Sequence, residues 1–370
     1  MEQITIKEVA KLCGVGVSTV SRAINNHPDI NPETKQKILD VIREYNYVPN
    51  NSARNLKRAD SNTIAVVIKE ISNSYWGVML HVLEREVRDR KYCLVLQNVA
   101  DDEDEVELAL QLEKEKKVKG IIFLGGMYNY HESRLRMLRV PYVISGSGKT
   151  VPEDTGTYPK SALVTTDTEI ESQSMVDYLC SCGHKRIAFI TSRDEGLGRC
   201  HLNGYKRSLE KNGLEYDEKL IIRLKPGKRI YTIENGYNCT CELLKSGVDF
   251  SCIYAISDTL AVGACRAIIN SGKRVPEDYC VAGADGQDFA EYYHPSITTL
   301  KYPRVETALQ SVRTLFDLID RKKVVKRQIL SGTLIERESV KIFEKDYHAL
   351  RSAQIFLQIF LFSYFLDGFL

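Results

Sequence analysis

Short apolar runs return along this chain with a spacing that only one kind of fold accommodates. TIAVVI (63–68), YCLVLQ (92–97), KGIIFL (119–124) and PYVIS (141–145) alternate with helical stretches around 75–90, 103–117 and 131–138. A second series follows: ALVTT (162–166), RIAFIT (186–191), LIIRL (220–224), SCIYAI (251–256) and YCVAGA (279–284), separated by helices near 170–182, 201–212, 231–245 and 258–271. Near-continuous apolar strands with crossover helices imply parallel sheets covered on both faces. Two series imply two α/β lobes, and ligands of open α/β sheets bind beyond the carboxyl ends of the strands, here in the cleft between the lobes.

The 370 residues are too many for one average domain. An apolar fraction of 43% and a charged fraction of 27% belong to a folded chain, and a net charge of +2 says little about partners. Locally, Arg43 to Arg58 carries Arg43, Arg54, Lys57 and Arg58 against Glu44 alone. The start, MEQITIKEVAK, lacks a basic leader with an apolar core, which points to the cytoplasm. In that reducing compartment the ten cysteines read as small buried hydrophobes. The pairs Cys180/Cys182 and Cys239/Cys241, with His184 near the first, have closer spacing than structural zinc uses.

Residues 5–45 read as three short helices. Thr5 with Glu8 fits a capping box, and Gly16 stands where a second helix begins at Val17. Asn31-Pro32-Glu33 starts a third, whose buried face is expected at Ile38, Val41, Ile42 and Tyr45. Pro49 closes this unit, and NNSARNLKR (50–58) follows with Ala53 and Leu56 as its isolated apolar residues. About nine residues of such composition do not hold a helix alone, so the segment is disordered or helical only against a partner.

GSGKT (146–150) resembles the end of a phosphate loop, but the required glycine five places before Gly148 is Val143, inside a strand. Gly14-x-Gly16 follows no long strand, and no catalytic constellation can be argued from residue order. The reading therefore implies no enzyme, no cofactor and no metal.

Taken together, TIKEVAKLCGVGVSTVSRAINNHPDINPETKQKILDVIREYNYVPNNSARNLK (5–57) resembles the DNA-binding head of the LacI/GalR family of bacterial transcription regulators. The resemblance continues through ISNSYW (71–76), DTEIES (167–172), GHKRIAFI (183–190), GYKRSL (204–209), SDTLAVGACRAI (257–268), VAGADGQD (281–288), SITTL (296–300) and ERESVK (336–341). It implies an all-α helix-turn-helix head over 1–49, a hinge helix over 50–60 and a two-lobed α/β core over 61–341 that resembles periplasmic sugar-binding proteins. We expect one lobe at about 61–161 plus 293–320 and the other at about 162–292 plus 321–341.

By this resemblance, residues 17–24 form the recognition helix of a head that enters the major groove. Arg22 suits a paired hydrogen bond to a guanine edge, and Val17 suits a thymine methyl. Thr5, Gly16, Ser18, Thr19, Ser21, Asn25 and Tyr47 complete the expected base and backbone contacts. The family's serine at position 16 is glycine here. Asn50 and Ala53 are expected at the minor groove, with Leu56 wedged into the central base step of an operator with inverted half-sites. A homodimer holds the paired hinges, and a cleft ligand that changes the angle between lobes aligns or separates them.

The family's effector contacts fall on Tyr75, Trp76, Asp167, His201, Asp258 and Asp285, and the family's usual effector is a sugar or sugar derivative. Tyr75 and Trp76 suit stacking on a sugar face, or are core aromatics at a helix start. Asp285 follows a strand and suits hydroxyl groups, while Asp258 equally suits a cap for helix 259–271. Three departures stand out: His201 replaces an arginine, Glu171-Ser172 replaces a glycine pair, and Ser74 replaces a proline. The rival reading, a periplasmic sugar receptor, has no use for residues 5–58.

Family chains usually end near ERES, so the apolar, uncharged run SAQIFLQIFLFSYFL (352–366) lies outside the resemblance, in an atypical tail over 342–370. It is shorter than the roughly 20 residues of a membrane-spanning helix, which disfavours a membrane partner without removing it. Packing against the core or the dimer, and an aggregation-prone or abnormal end of the reading frame, are the other readings.

Overall fold

The computed structural model describes residues 4–24, 26–45, 47, 62–69, 71–100, 103–125, 132–146, 159–192, 196–224 and 230–342. The chain divides into two compact units, Met1–Ser61 and Asn62–Leu370. Asn25, the expected hinge over 50–60 with Asn50, Ala53 and Leu56, most of the GSGKT run, and the tail beyond Ile342 lie outside the described residues.

In the first unit, α1 (Ile6–Cys13) is opened by Thr5, whose hydroxyl accepts from the Glu8 amide at 3.4 Å while the Glu8 carboxylate accepts from the Thr5 amide at 2.6 Å. Gly14 ends it in the left-handed region at φ 68°, where a side chain is disfavoured. Helices α2 (Val17–Ile24) and α3 (Pro32–Glu44) follow, the latter capped by the Asn31 side chain, which accepts from the amides of Glu33 and Thr34 at 2.9 and 3.2 Å. The small core is Val9, Ala10, Cys13, Val20, Ala23 and Ile38, with Val41, Ile42 and Tyr47 packed against it. Tyr45, expected on the buried face, is instead 46% exposed. It sits at the C-cap of α3, where the chain has already left the helical register that buries Ile38.

The second unit holds two six-stranded sheets. Strands β1 (Thr63–Lys69), β2 (Cys93–Val99), β3 (Gly120–Leu124), β4 (Tyr142–Ser145), β5 (Ser161–Thr166) and β11 (Arg327–Leu330) form the first, in the order β11-β5-β4-β3-β1-β2. Strands β6 (Ile187–Thr191), β7 (Ile221–Arg223), β8 (Cys252–Ala255), β9 (Cys280–Asp285), β10 (Thr298–Lys301) and β12 (Thr333–Ile335) form the second, ordered β12-β10-β9-β8-β6-β7. All pairs are parallel except β10 with β12. Central strands such as β3, β5 and β9 are buried throughout, as a sheet covered on both faces requires.

The helices of this unit are α4 (Tyr75–Asp89), α5 (Glu105–Lys116), α6 (Glu132–Leu135), α7 (Thr168–Ser181), α8 (Gly196–Lys211), α9 (Ile233–Lys245), α10 (Asp258–Asn270), α11 (Asp288–Tyr292) and α12 (Arg304–Ile319). The chain crosses between the lobes after β5, after β10 and between β11 and β12. This corrects the expected lobe limits: residues 161–166 and 327–330 belong to the first sheet, and 298–301 to the second. An apolar run reports that a strand is buried, not which sheet it joins. Pairing decides that, through Tyr142 opposite Ser161, Leu163 opposite Arg327, and Ala282 opposite Thr298.

Candidate functional site

Each unit carries one surface on which the candidate residues gather. On α2 the buried side is Val20 and Ala23. Gly16, Val17, Ser18 and Arg22 are exposed, and Thr19 and Ser21 are half-buried at the edge. Val17 is 41% exposed, an apolar group that the three-helix core leaves unused. The Gly16 carbonyl accepts from the amides of Thr19 and Val20 and so starts the helix without a side-chain cap. Thr5 is exposed, but its hydroxyl is engaged in the capping box. Tyr47 is half-buried against the head core. The exposed residues of α2 thus combine a fork of donors, a hydroxyl and a small apolar group, the side-chain types that read base edges in a major groove.

The second surface lies where the carboxyl ends of the strands meet. Tyr75 opens α4 after β1, Asp258 opens α10 after β8, and Asp285 ends β9. Asp258 is fully buried and does not cap its helix. Ser257 does, accepting from the Leu260 amide at 3.2 Å. The Asp258 carboxylate instead accepts from the Gln287 amide at 2.7 Å and the Thr299 hydroxyl at 2.6 Å. Gly283 lies beneath it, where a Cβ would come within 2.4 Å of Asp258 Oδ1. Asp285 follows with φ 105°, a rare conformation for a residue with a side chain, and Gly286 takes φ 64° hard against Lys301.

This turn is tied to the other lobe. The Arg304 guanidinium donates to the Gly286 carbonyl at 2.9 Å and to Gln287 Oε1 at 3.3 Å, and it lies 5.6 Å over the Tyr75 ring. The Gln287 amide donates onward to the Ser74 hydroxyl at 3.0 Å. Tyr75 stands edge-on to Tyr302, centroids 6.1 Å apart. Burial pushes the carboxyls of Asp258 and Asp285 up and the charge of Asp258 raises Asp285 further, while Arg304 pulls both back. Removed from water, such a pair strongly disfavours carrying two charges at once.

Trp76 is not free to stack on a ligand, which corrects one of the two readings of this residue. It packs in the first-lobe core with Met79 and Leu83. Its ring fills the space where a Cβ on Gly125 would come within 2.3 Å. Asp167 caps α7 through the Ile170 amide at 3.3 Å and lies close enough to Glu171 to raise its pKa. His201 is buried, its Nδ1 has no hydrogen-bond partner, and burial pushes its pKa down to about 4, so the ring is neutral at pH 7. Its carbonyl meets α7 by accepting from the Ser172 hydroxyl at 2.9 Å.

Sequence reasoning missed Gln287, Thr299, Tyr302 and Arg304, for which no spacing signal exists. It also left Glu171 unassigned, although its replacement of a glycine was visible. Glu171 Oε1 accepts from the Gly332 amide at 2.6 Å, in the crossing between β11 and β12, while Oε2 is buried and unpartnered. Burial pushes this carboxyl up to about 7 and Asp167 adds to the rise, against the Gly332 amide and the nearby Thr166 hydroxyl. All ten cysteines are free thiols, and among the described residues no group of His, Cys, Asp or Glu is arranged to hold a metal. No helix among them is long and apolar enough to cross a membrane.

A helix-turn-helix head followed by two doubly wound lobes, with buried polar groups gathered at the strand ends between them, defines a ligand-responsive DNA-binding protein. Residues 5–50 match the model for bacterial regulatory proteins of the lacI family, and 176–340 match the periplasmic binding protein-like domain. The chain is 37% identical to the HTH-type transcriptional regulator MalR of Clostridium butyricum, over 91% of this chain and 99% of the relative. It is 32% identical to the NTD biosynthesis operon regulator NtdR of Bacillus subtilis, over 90% and 99%. Among solved structures, a transcriptional regulator CelR–cellobiose complex is 29% identical with TM-score 0.64, covering 91% of this chain and 100% of that one. A lac repressor dimer bound to operator matches the fold with TM-score 0.73 at 23% identity, over 92% and 100%.

The chain belongs to the LacI/GalR family of bacterial transcriptional regulators. It is a sequence-specific DNA-binding regulator rather than an enzyme, in a family whose members are typically repressors modulated by small-molecule, often sugar, effectors.

Proposed function

We propose that this regulator is a cytoplasmic homodimer that represses transcription from an operator with two inverted half-sites and is controlled by a sugar or sugar derivative bound between its lobes. The observation that carries the DNA reading is the division of α2, whose Val20 and Ala23 hold the core while Val17, Ser18 and Arg22 remain exposed. Arg22 forks onto a guanine edge, Val17 meets a thymine methyl, and Gly16, Ser18, Thr19 and Ser21 supply close approach and hydroxyl contacts. Thr5 acts through its cap, and Asn25 and Tyr47 lie towards the phosphates. Asn50, Ala53 and Leu56 form the hinge, with Leu56 as the wedge.

The effector reading rests on the network from Asp258 through Gln287 and Arg304 to Ser74 and Tyr75, which joins the lobes with few direct bonds. Asp285 and Tyr75 meet the ligand directly, and Asp167, Asp258 and His201 hold the walls. A ligand that binds one interlobe angle better than another shifts DNA affinity, and DNA shifts ligand affinity by the same factor. Fluorescence anisotropy with a palindromic operator of the family type tests the proposal, with scrambled DNA alongside at physiological salt. A preference of a thousandfold or more for the operator is expected; equal affinity for both DNAs rules out specific recognition.

A further inference from the structure

Glu171 is 6% exposed and Tyr302 is 8% exposed, yet Glu171 Oε2 and the Tyr302 hydroxyl make no hydrogen bond. Buried polar atoms are almost always paired, and an orphaned one costs about 1–3 kcal/mol. Two such atoms point to a partner that arrives from outside the chain. They are neighbours: the charges of Glu171 and Asp285 both act on Tyr302, as they do on Tyr75.

Among the described residues, four carboxyl groups gather around them. Asp167, Glu171, Asp258 and Asp285 act on one another or on the same tyrosines. Arg304 and Arg337 counter them at Asp258. Arg304 has donors committed to Gly286 and Gln287, and Arg337 to the Ile297 carbonyl at 2.9 Å and to Glu291 at 3.4 Å. His201 is neutral at pH 7. Buried and crowded, these carboxyls are pushed towards their neutral forms, Glu171 up to about 7, so they serve a hydroxyl-bearing ligand both as acceptors and as donors.

We propose that Glu171 determines effector specificity: its buried Oε2 accepts a hydrogen bond from a hydroxyl of a polyhydroxyl ligand bound between the lobes. This rests on the cleft being the effector site. The same carboxylate holds the Gly332 amide through Oε1, so the ligand and the crossing between β11 and β12 share one side chain. A shift of Glu171 towards the ligand is therefore felt at the segment that joins the lobes.

The test uses the full-length protein, with thermal shift and calorimetric titration against glucose, maltose and cellobiose, glucose 6-phosphate, glucuronate, and the phosphorylated disaccharides. At least one of these sugars is expected to bind. Glu171→Gln keeps an acceptor for Gly332 but puts an amide donor in place of Oε2, so it should weaken the bound sugar about tenfold while its unliganded melting temperature shows that it folds. The proposal is overturned if none of these sugars binds, or if Glu171→Gln binds unchanged. Operator anisotropy on the same sample tells this failure from failure of the regulator reading: operator binding that survives leaves the regulator intact and removes only the specificity claim.

Discussion

The side-chain amide of Gln287 donates to the Ser74 hydroxyl at 3.0 Å, a bond between two lobes whose residues lie 213 positions apart in the chain. Gln287 is held from behind by Arg304, and its own backbone amide is held by Asp258. The bond is one rigid turn of the second lobe resting on the loop that opens α4 in the first.

Replacing Gln287 with Ala removes that contact and leaves one Arg304 donor unused. Fold stability should fall by about 1 kcal/mol, the net worth of an ordinary hydrogen bond. The larger effect is on lobe motion, measured as increased hydrogen exchange in residues 71–75 without ligand. Unchanged exchange there shows that the bond does not restrain the lobes.

Arg22→Lys keeps the charge and removes the planar fork. Specific operator affinity should fall by about 1–3 kcal/mol, while affinity for scrambled DNA stays within a factor of two or so. Anisotropy titrations over a range of salt separate the two terms, because the slope against salt reports phosphate contacts alone. An equal loss on both DNAs makes Arg22 a phosphate contact.

Thr5→Ala tests whether this residue serves DNA or the fold. Its hydroxyl is bonded at both ends of the capping box, so the head should lose about 1 kcal/mol of helix stability. Circular dichroism on melting checks it. A head of unchanged stability with weakened DNA binding assigns Thr5 to the DNA instead.

Gly125→Ala places a methyl 2.3 Å from the Trp76 ring at a backbone φ of 61°. Overpacking and the disfavoured backbone together should cost about 2 kcal/mol or more in urea unfolding. Gly213→Ala is the control, with φ 67° and nothing within 4 Å. It should cost only the backbone part.

Stability should depend on pH through Glu171 and His201 in opposite senses. The folded pKa of Glu171 is raised to about 7 from 4.5, so its contribution is full below pH 4.5 and is lost as pH rises through 7. That of His201 is lowered to about 4 from 6.5, so its contribution is present above pH 6.5 and is lost as pH falls towards 4. Glu171→Gln should therefore be more stable than the parent at pH 8, by on the order of 1–3 kcal/mol, with the gain shrinking towards pH 5. A gain independent of pH shows that burial does not penalise the Glu171 charge.

The sequence by itself determined the local elements. The Thr5–Glu8 box, the Asn31-Pro32 start and the apolar runs from 63 to 284 specify helices and buried strands through interactions a few residues long. The motif spacing identified the family and marked α2, Tyr75, Asp258 and Asp285. Tertiary structure alone decided which sheet β5, β10 and β11 join, because a strand buried on both faces carries the same pattern in either lobe. It alone placed Trp76 under Gly125 and brought Gln287, Tyr302 and Arg304 beside residues far away in the chain. Burial, shared acceptors and unpaired oxygens are properties of neighbours in space, and a carboxylate such as Glu171 acquires its chemistry only when the crossing at Gly332 and the walls of the cleft close around it.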